Sequence, residues 1–242
     1  GCSLSTIAGL EKARNLEYIN LSNNTIRNLE PLAHLMKLKE IDLSHNALTG
    51  LNVLSSLTNL EKLNVCYNSL TSIAPLATCT KLNWLNADHN EIPALSGVDN
   101  LPALRYLSVN HNTLSDVSVL AGCTTLTELY IASNSIEDIT SLSTLTNLEV
   151  FDFSNNKVVQ LPVWPDGSKL RTIDGSHNAI TSLDNLQNQN NLTHVNMDYN
   201  KIKSIKALAN CYKLVIVNVY GNEIDGVKEL TDRGIIVNWD PT

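Results

Sequence analysis

Along this chain the apolar residues first alternate with polar ones and then spread out. In "LEYINLSNNTI" (Leu16 to Ile26) the alternation runs through Ile19 and Leu21 and gives way to two asparagines. The same pattern restarts at Leu38, Leu60, Leu82, Leu104, Leu126, Leu148, Leu170, Leu192 and Leu214, giving ten copies at a period of 22 with no insertion. Counted from the first leucine of each copy, apolar residues recur at places 1, 4, 6, 11, 14, 17 and usually 20. In the first copy these are Leu16, Ile19, Leu21, Ile26, Leu29, Leu32 and Leu35. Places 4 and 6 point inward while 3, 5 and 7 point outward, which is the period-two alternation of a short strand. The returning arc, such as "RNLEPLAHLMK", is too short for a long helix. It predicts turns and at most a turn or two of 3₁₀ or α-helix, with Pro31 and Pro75 suited to a first helical position.

One such coil cannot bury its own apolar edge, but stacked coils share a continuous core. A period of 20 to 29 built on L-x-x-L-x-L-x-x-N-x-L is the signature of leucine-rich repeats. The expected fold class is therefore an α/β-type leucine-rich repeat solenoid. It is a right-handed curved array with a concave parallel β-sheet and a convex side of turns and short 3₁₀ or α segments. The expected organisation is a single repeat domain over 1–242, with a partial repeat at 1–15 and ten 22-residue repeats at 16–235. Residues 236–242 form a terminal strand or a domain junction. The asparagine at place 9, from Asn24 to Asn222, sits where the chain turns inward and leaves backbone groups that the next strand cannot pair. A buried amide offers two donors and an acceptor, so this column reads as structural rather than catalytic.

Departures from the pattern carry further expectations. Cys79, Cys123 and Cys211 fall at place 20, where other copies carry leucine, and read as core thiols. Cys79 and Cys123 stand in alternate copies, roughly 10 Å apart, beyond the reach of a disulfide. Cys66, at outward place 7, is the candidate accessible thiol. Cys2 lies 22 residues before Asn24 and reads as a column residue, with a lipid-bearing role as the other reading. In "VVQLPVWPDGSKL" place 17 is Trp164 and place 20 is Gly167, and the next copy has Gln189 at place 20. That arc is expected to be looped, with Trp164 filling space. At the far end a strand is expected around Ile236, with Trp239 at place 4 and Asp240-Pro241 ending the pattern.

The 22-residue unit resembles the bacterial internalin-type and SDS22-like repeats. "LKEIDLSHNALTGLNVLSSLTNL" and "LEKLNVCYNSLTSIAPLATCTKL" carry the likeness most clearly, and it extends from Cys2 to Trp239. The resemblance implies a scaffold whose concave sheet binds proteins, in a molecule secreted or held at a cell surface. No cofactor is implied.

Composition narrows the partner class. Seventeen basic against 24 acidic residues give a net charge of -7, which opposes general nucleic-acid binding. No run is long and apolar enough to cross a bilayer. Residues at places 3, 5, 7 and 8 are not required by the core, so function is expected there. The central group comprises Lys62, Tyr67, Trp84, Asp88, His89, Tyr106, His111, Glu128 and Tyr130. A second group comprises His194, Tyr199, Ile216 and Tyr220. Outward aromatics among polar neighbours have the composition of a protein-binding hot spot. A carbohydrate-binding surface and a structural spacer at a cell envelope are the alternatives, and a monomer is expected. His89 and His111 on adjacent strands raise a metal pair. Since His45 and His177 share the same place, the repeat itself recruits histidine there, and surface decoration is the stronger reading. Asp152 and Asp174 share place 5, but an open sheet offers little of the desolvation that carboxylate catalysis needs. The chain is not expected to be an enzyme.

Overall fold

The structure, a computed structural model, describes residues 2–225 and 227–240. The chain forms two compact units, Gly1–Leu114 and Ser115–Thr242. In the first, strands β1 (Tyr18–Asn20), β2 (Glu40–Asp42), β3 (Lys62–Asn64), β4 (Trp84–Asn86) and β5 (Tyr106–Ser108) pair in parallel. The register is set by the repeat: Tyr18, Glu40, Lys62, Trp84 and Tyr106 are successive partners. The second unit carries β6 (Glu128–Tyr130), β7 (Val150–Asp152), β8 (Thr172–Asp174), β9 (His194–Asn196), β10 (Ile216–Asn218) and β11 (Ile236–Asn238), again parallel.

The returning arcs are short 3₁₀ segments, as in Glu30–Leu32 and Ala74–Thr78, with Pro31 and Pro75 in their first turn. Proline is suited there because a helix's first N–H groups have no partner to lose. Each copy closes an apolar layer. Leu38, Ile41, Leu43, Leu48, Leu51, Leu54 and Leu57 are all 3% exposed or less. Full burial of such a side chain contributes roughly 1.5–3 kcal/mol against the ordering entropy.

The asparagine column pairs the turns as its position requires. Asn46 donates through Nδ2 to the carbonyls of Leu21, Leu43 and Ser44, and its Oδ1 accepts the Ile26 N–H. Asn90 repeats the set with Val65, Ala87, Asp88 and Leu70. Each amide thus ties its own turn to the preceding copy. Cys2 N and Leu4 N both donate to Asn24 Oδ1, so the column interaction reaches the partial first copy.

Place 20 follows a second rule. The thiols of Cys79 and Cys211 donate to the Leu54 and Leu186 carbonyls, and Gln189 Nε2 donates to the Trp164 carbonyl. A polar residue is admitted in the core where it reaches the place-17 carbonyl of the preceding copy. No helical segment occurs between β7 and β8, and Trp164 is buried there in edge contact with Phe151. The expected loop and packing role are both present.

Two expectations are corrected. Cys66 is buried rather than accessible, as are Ser44, Ala132, Ser154 and Ser176 at the same place 7, where the chain leaves the strand for the turn. Its N–H donates to Asn64 Oδ1, the same place-5 to place-7 turn made by Asp42 with Ser44 and by Asp174 with Ser176. Burial, then the nearby Asp88 and Asp42 carboxylates, push the Cys66 thiol above its ordinary value. The last strand also shifts. Val237, not Trp239, pairs with Val217 at place 4, so this copy closes in 20 residues. The short helix α1 (Lys228–Thr231) replaces the longer arc, and a shift of two preserves the inward–outward alternation.

Candidate functional site

In the first unit, place 3 brings Tyr18, Glu40, Lys62, Trp84 and Tyr106 into one row across five strands. Trp84 and Tyr106 stack with ring centroids 4.9 Å apart and planes 15° from parallel. Aromatic pairs of this kind are worth about 0.5–1.5 kcal/mol beyond their buried area. The two half-buried rings thereby hold each other in place. Lys62 Nζ lies 3.2 Å from Glu40 Oε1, an exposed pair that fixes little by itself. A groove runs from Trp84 past Lys62 and Glu40 to Tyr18, floored by Asn20, Asp42 and Asn64.

Tyr18, 57% exposed, extends this surface to the first strand. Sequence reasoning left out Tyr18, Glu40 and Asp42. Their signal was available, since Tyr18 holds the same place as Trp84 and Tyr106.

Asp88 has a structural duty. The fifth copy has Ser108 at place 5, where the fourth copy carries Asn86 and the sixth Tyr130. Asp88 Oδ1 reaches across to accept both the Ser108 hydroxyl and the Asn110 N–H, each at 2.7 Å. It supplies a turn acceptor to the following copy, as Asp198 does for the Tyr220 N–H although Asn218 stands at place 5 there.

Place 8 has a conformational signature invisible in the alternation. Asn23, His45, Tyr67, His89 and His111 all adopt φ between 52° and 57°. Asparagine and histidine tolerate this left-handed region better than most residues, which explains why the place draws on them. Where the place is aromatic, the rings stack. His45–Tyr67, Tyr67–His89 and His89–His111 have centroid separations of 4.3, 4.1 and 4.1 Å, with planes within 13° of parallel. A metal lies in the plane of each imidazole that binds it, at about 2 Å. Cofacial rings 4.1 Å apart therefore cannot share one ion as they stand. Among the described residues no group of three His, Cys, Asp or Glu side chains forms a metal site. Burial, followed by the neighbouring His111, lowers the His89 pKa below its ordinary value, while Asp88 opposes the shift.

The second unit places the remaining candidates. Tyr130 donates its hydroxyl to Glu128 Oε2 at 2.9 Å, so these two act as one polar–aromatic pair on β6. His194 and Ile216 are register partners on β9 and β10, with Ile236 next in the row. Tyr199 and Tyr220 lie at the turns beyond those strands, where Tyr199 N donates to the Tyr220 carbonyl. Tyr199 stacks on His177 at 4.5 Å and lies over Gly221, where a Cβ would come within 2.5 Å of the ring. Asp152 and Asp174 are adjacent on β7 and β8, but each accepts the N–H two residues on through Oδ1. They close turns. Burial, with Asp174 nearby, raises the Asp198 pKa, while the Tyr220 N–H that it accepts at 2.6 Å opposes this.

Known proteins share this architecture. Residues 37–78 and 124–166 match the family model described as Leucine Rich repeats (2 copies), and residues 15–35 match Leucine Rich Repeat. An internalin (InlF) from Listeria monocytogenes str. 4b F2365 is 26% identical, with a TM-score of 0.78 over 99% of this chain and 84% of that one. The functional domain of InlJ from Listeria monocytogenes, described as including a cysteine ladder, is 29% identical with a TM-score of 0.83. That match covers 93% of this chain, which spans 49% of the InlJ domain. No curated protein sequence matches the chain. The chain carries leucine-rich repeats in a solenoid fold structurally related to the bacterial internalins.

Proposed function

We propose that the chain is a non-enzymatic scaffold that binds a protein through the strand face of its first unit. The observation that carries this reading is the stacked Trp84–Tyr106 pair beside the groove that ends at Tyr18. The core does not require large rings at place 3, and a rigid pair buries area with little further loss of rotamer freedom on binding. Lys62 and Glu40 border that anchor, and the ring column at place 8, beyond the ends of the same strands, is proposed to tune specificity. In the second unit, Glu128 with Tyr130 and the His194, Tyr199, Ile216 and Tyr220 group are proposed as separate contact patches. Likeness to internalins supports a place outside the cell or on its surface, and a monomer is proposed.

A carbohydrate-binding surface is the second reading. Trp84 and Tyr106 cover one face of each other, and the other face of Trp84 borders an amide-rich groove where a sugar ring has room to stack. The test is capture of partners from lysate and extracellular material by the protein and by a Trp84→Ala/Tyr106→Ala variant of matched fold. Loss of a protein partner supports the first reading. A glycan-array hit without a protein partner supports the second, and unchanged capture by the variant rejects this face.

A further inference from the structure

We infer that the stacked column His45–Tyr67–His89–His111 is an acid-sensitive element of the first unit, with the His89–His111 contact as its sensor. The column is a built feature. Four successive copies hold their place-8 residues at φ 53°, 54°, 52° and 52°, which aligns the rings one above the next. Their planes lie within 13° of parallel at centroid separations of 4.1 to 4.3 Å.

The contacts within the column differ in how they meet a proton. An imidazolium against a tyrosine face is attracted by the ring's π electrons. Two imidazoliums face to face repel, and the His89 and His111 rings stand only 4.1 Å apart. Around His89, Tyr67 stacks on one face and His111 on the other. His45 acts from beyond Tyr67, His111 from the following turn, and Asp88 from the same turn. The Asp88 carboxylate and the Tyr67 face favour the charged form, and Asp88 Oδ1 is already committed to Ser108 and Asn110.

The sign follows from burial and His111 lowering the native His89 pKa. Above about pH 6.5 the ring is neutral in both folded and unfolded chains, and the stack contributes fully. As pH falls through that value the unfolded chain takes up the proton first, so stability declines. The decline levels off below the native titration point. The inference rests on the ring column alone and stands whatever the strand face binds.

The test compares the protein with His111→Asn. Asparagine is native to this place at Asn23 and Asn155, where φ is 57° and 56°, so the variant keeps the turn. Histidine Cε1–Hε1 NMR signals, followed from pH 8 to 4, should show His89 titrating at higher pH in the variant. Between pH 7.5 and 5 the Tm of the unmodified protein should fall further than that of the variant. Acidic groups common to both proteins cancel in that difference. Ser133 holds the same place at φ 55°, so His111→Ser is the second variant if the first fails to fold. Parallel Tm–pH curves together with an unmoved His89 titration overturn the inference.

Discussion

At place 6 the first unit carries Leu21, Leu43, Val65, Ala87 and Val109, whereas the second carries Ile131, Phe153, Gly175, Met197 and Val219. The first series varies by a few methyl groups. The second swings from a phenylalanine to no side chain at all, yet Phe153 and Met197 are fully buried. The swing is compensated along the column. A Cβ on Gly175 would lie 2.4 Å from Phe153 Cζ and 2.9 Å from Met197 Sδ, so the larger neighbours occupy the space that glycine leaves. The same happens on the arc side. Trp164 fills the looped return, and the buried Ser168 hydroxyl donates to Gln189 Oε1 where other copies place leucine. In a solenoid each side chain meets its own place in the copies before and after, so volume is balanced between copies rather than within one.

The largest effect should come from a feature the two units share. Asn90 and Asn200 are each 8% exposed and each make four hydrogen bonds to backbone groups of two turns. Asn90→Leu and Asn200→Leu should each cost roughly 3 kcal/mol or more, because four hydrogen bonds are lost and the Leu70 and Ile180 N–H groups are left without an acceptor, while each carbonyl keeps a second donor. Urea unfolding of the two variants measures this. A loss in only one unit would show that the column is not the common support.

The next effect separates the units. Gly175→Ala should destabilise by about 1–3 kcal/mol through overpacking. Adding Phe153→Leu should recover part of the loss, with a coupling of about 0.5–3 kcal/mol in a double-mutant cycle. Strict additivity would reject compensation along the column. The smallest effect is expected at Trp164, 3% exposed, whose Nε1–H finds no acceptor among the described residues. Trp164→Phe removes that unpaired donor while giving up some packing, and the two changes oppose each other. Its unfolding free energy should stay within about 1 kcal/mol of the unmodified protein.

Sequence spacing determined the parallel register, the short strands, the apolar layers and the role of the place-9 asparagines. These follow from one rule, since a residue's neighbours in a stacked coil are the residues 22 positions away. The same rule placed Trp84 beside Tyr106 and His89 beside His111. Only the tertiary structure decided what those neighbours do. Place 8 takes a positive φ and turns separate rings into a stack, which no alternation of apolar and polar letters encodes. Asp88 serves the turn of the following copy, as Asp198 serves the Tyr220 turn, a dependence that crosses copies and cannot be read within either one. Cys66 is covered where the chain leaves the strand for the turn at place 7, and Val237 takes place 4 because α1 shortens the last return by two residues. Periodicity fixes which residues meet. Backbone dihedrals and the size of each neighbour fix how they meet, and those are settled only when the coils are stacked.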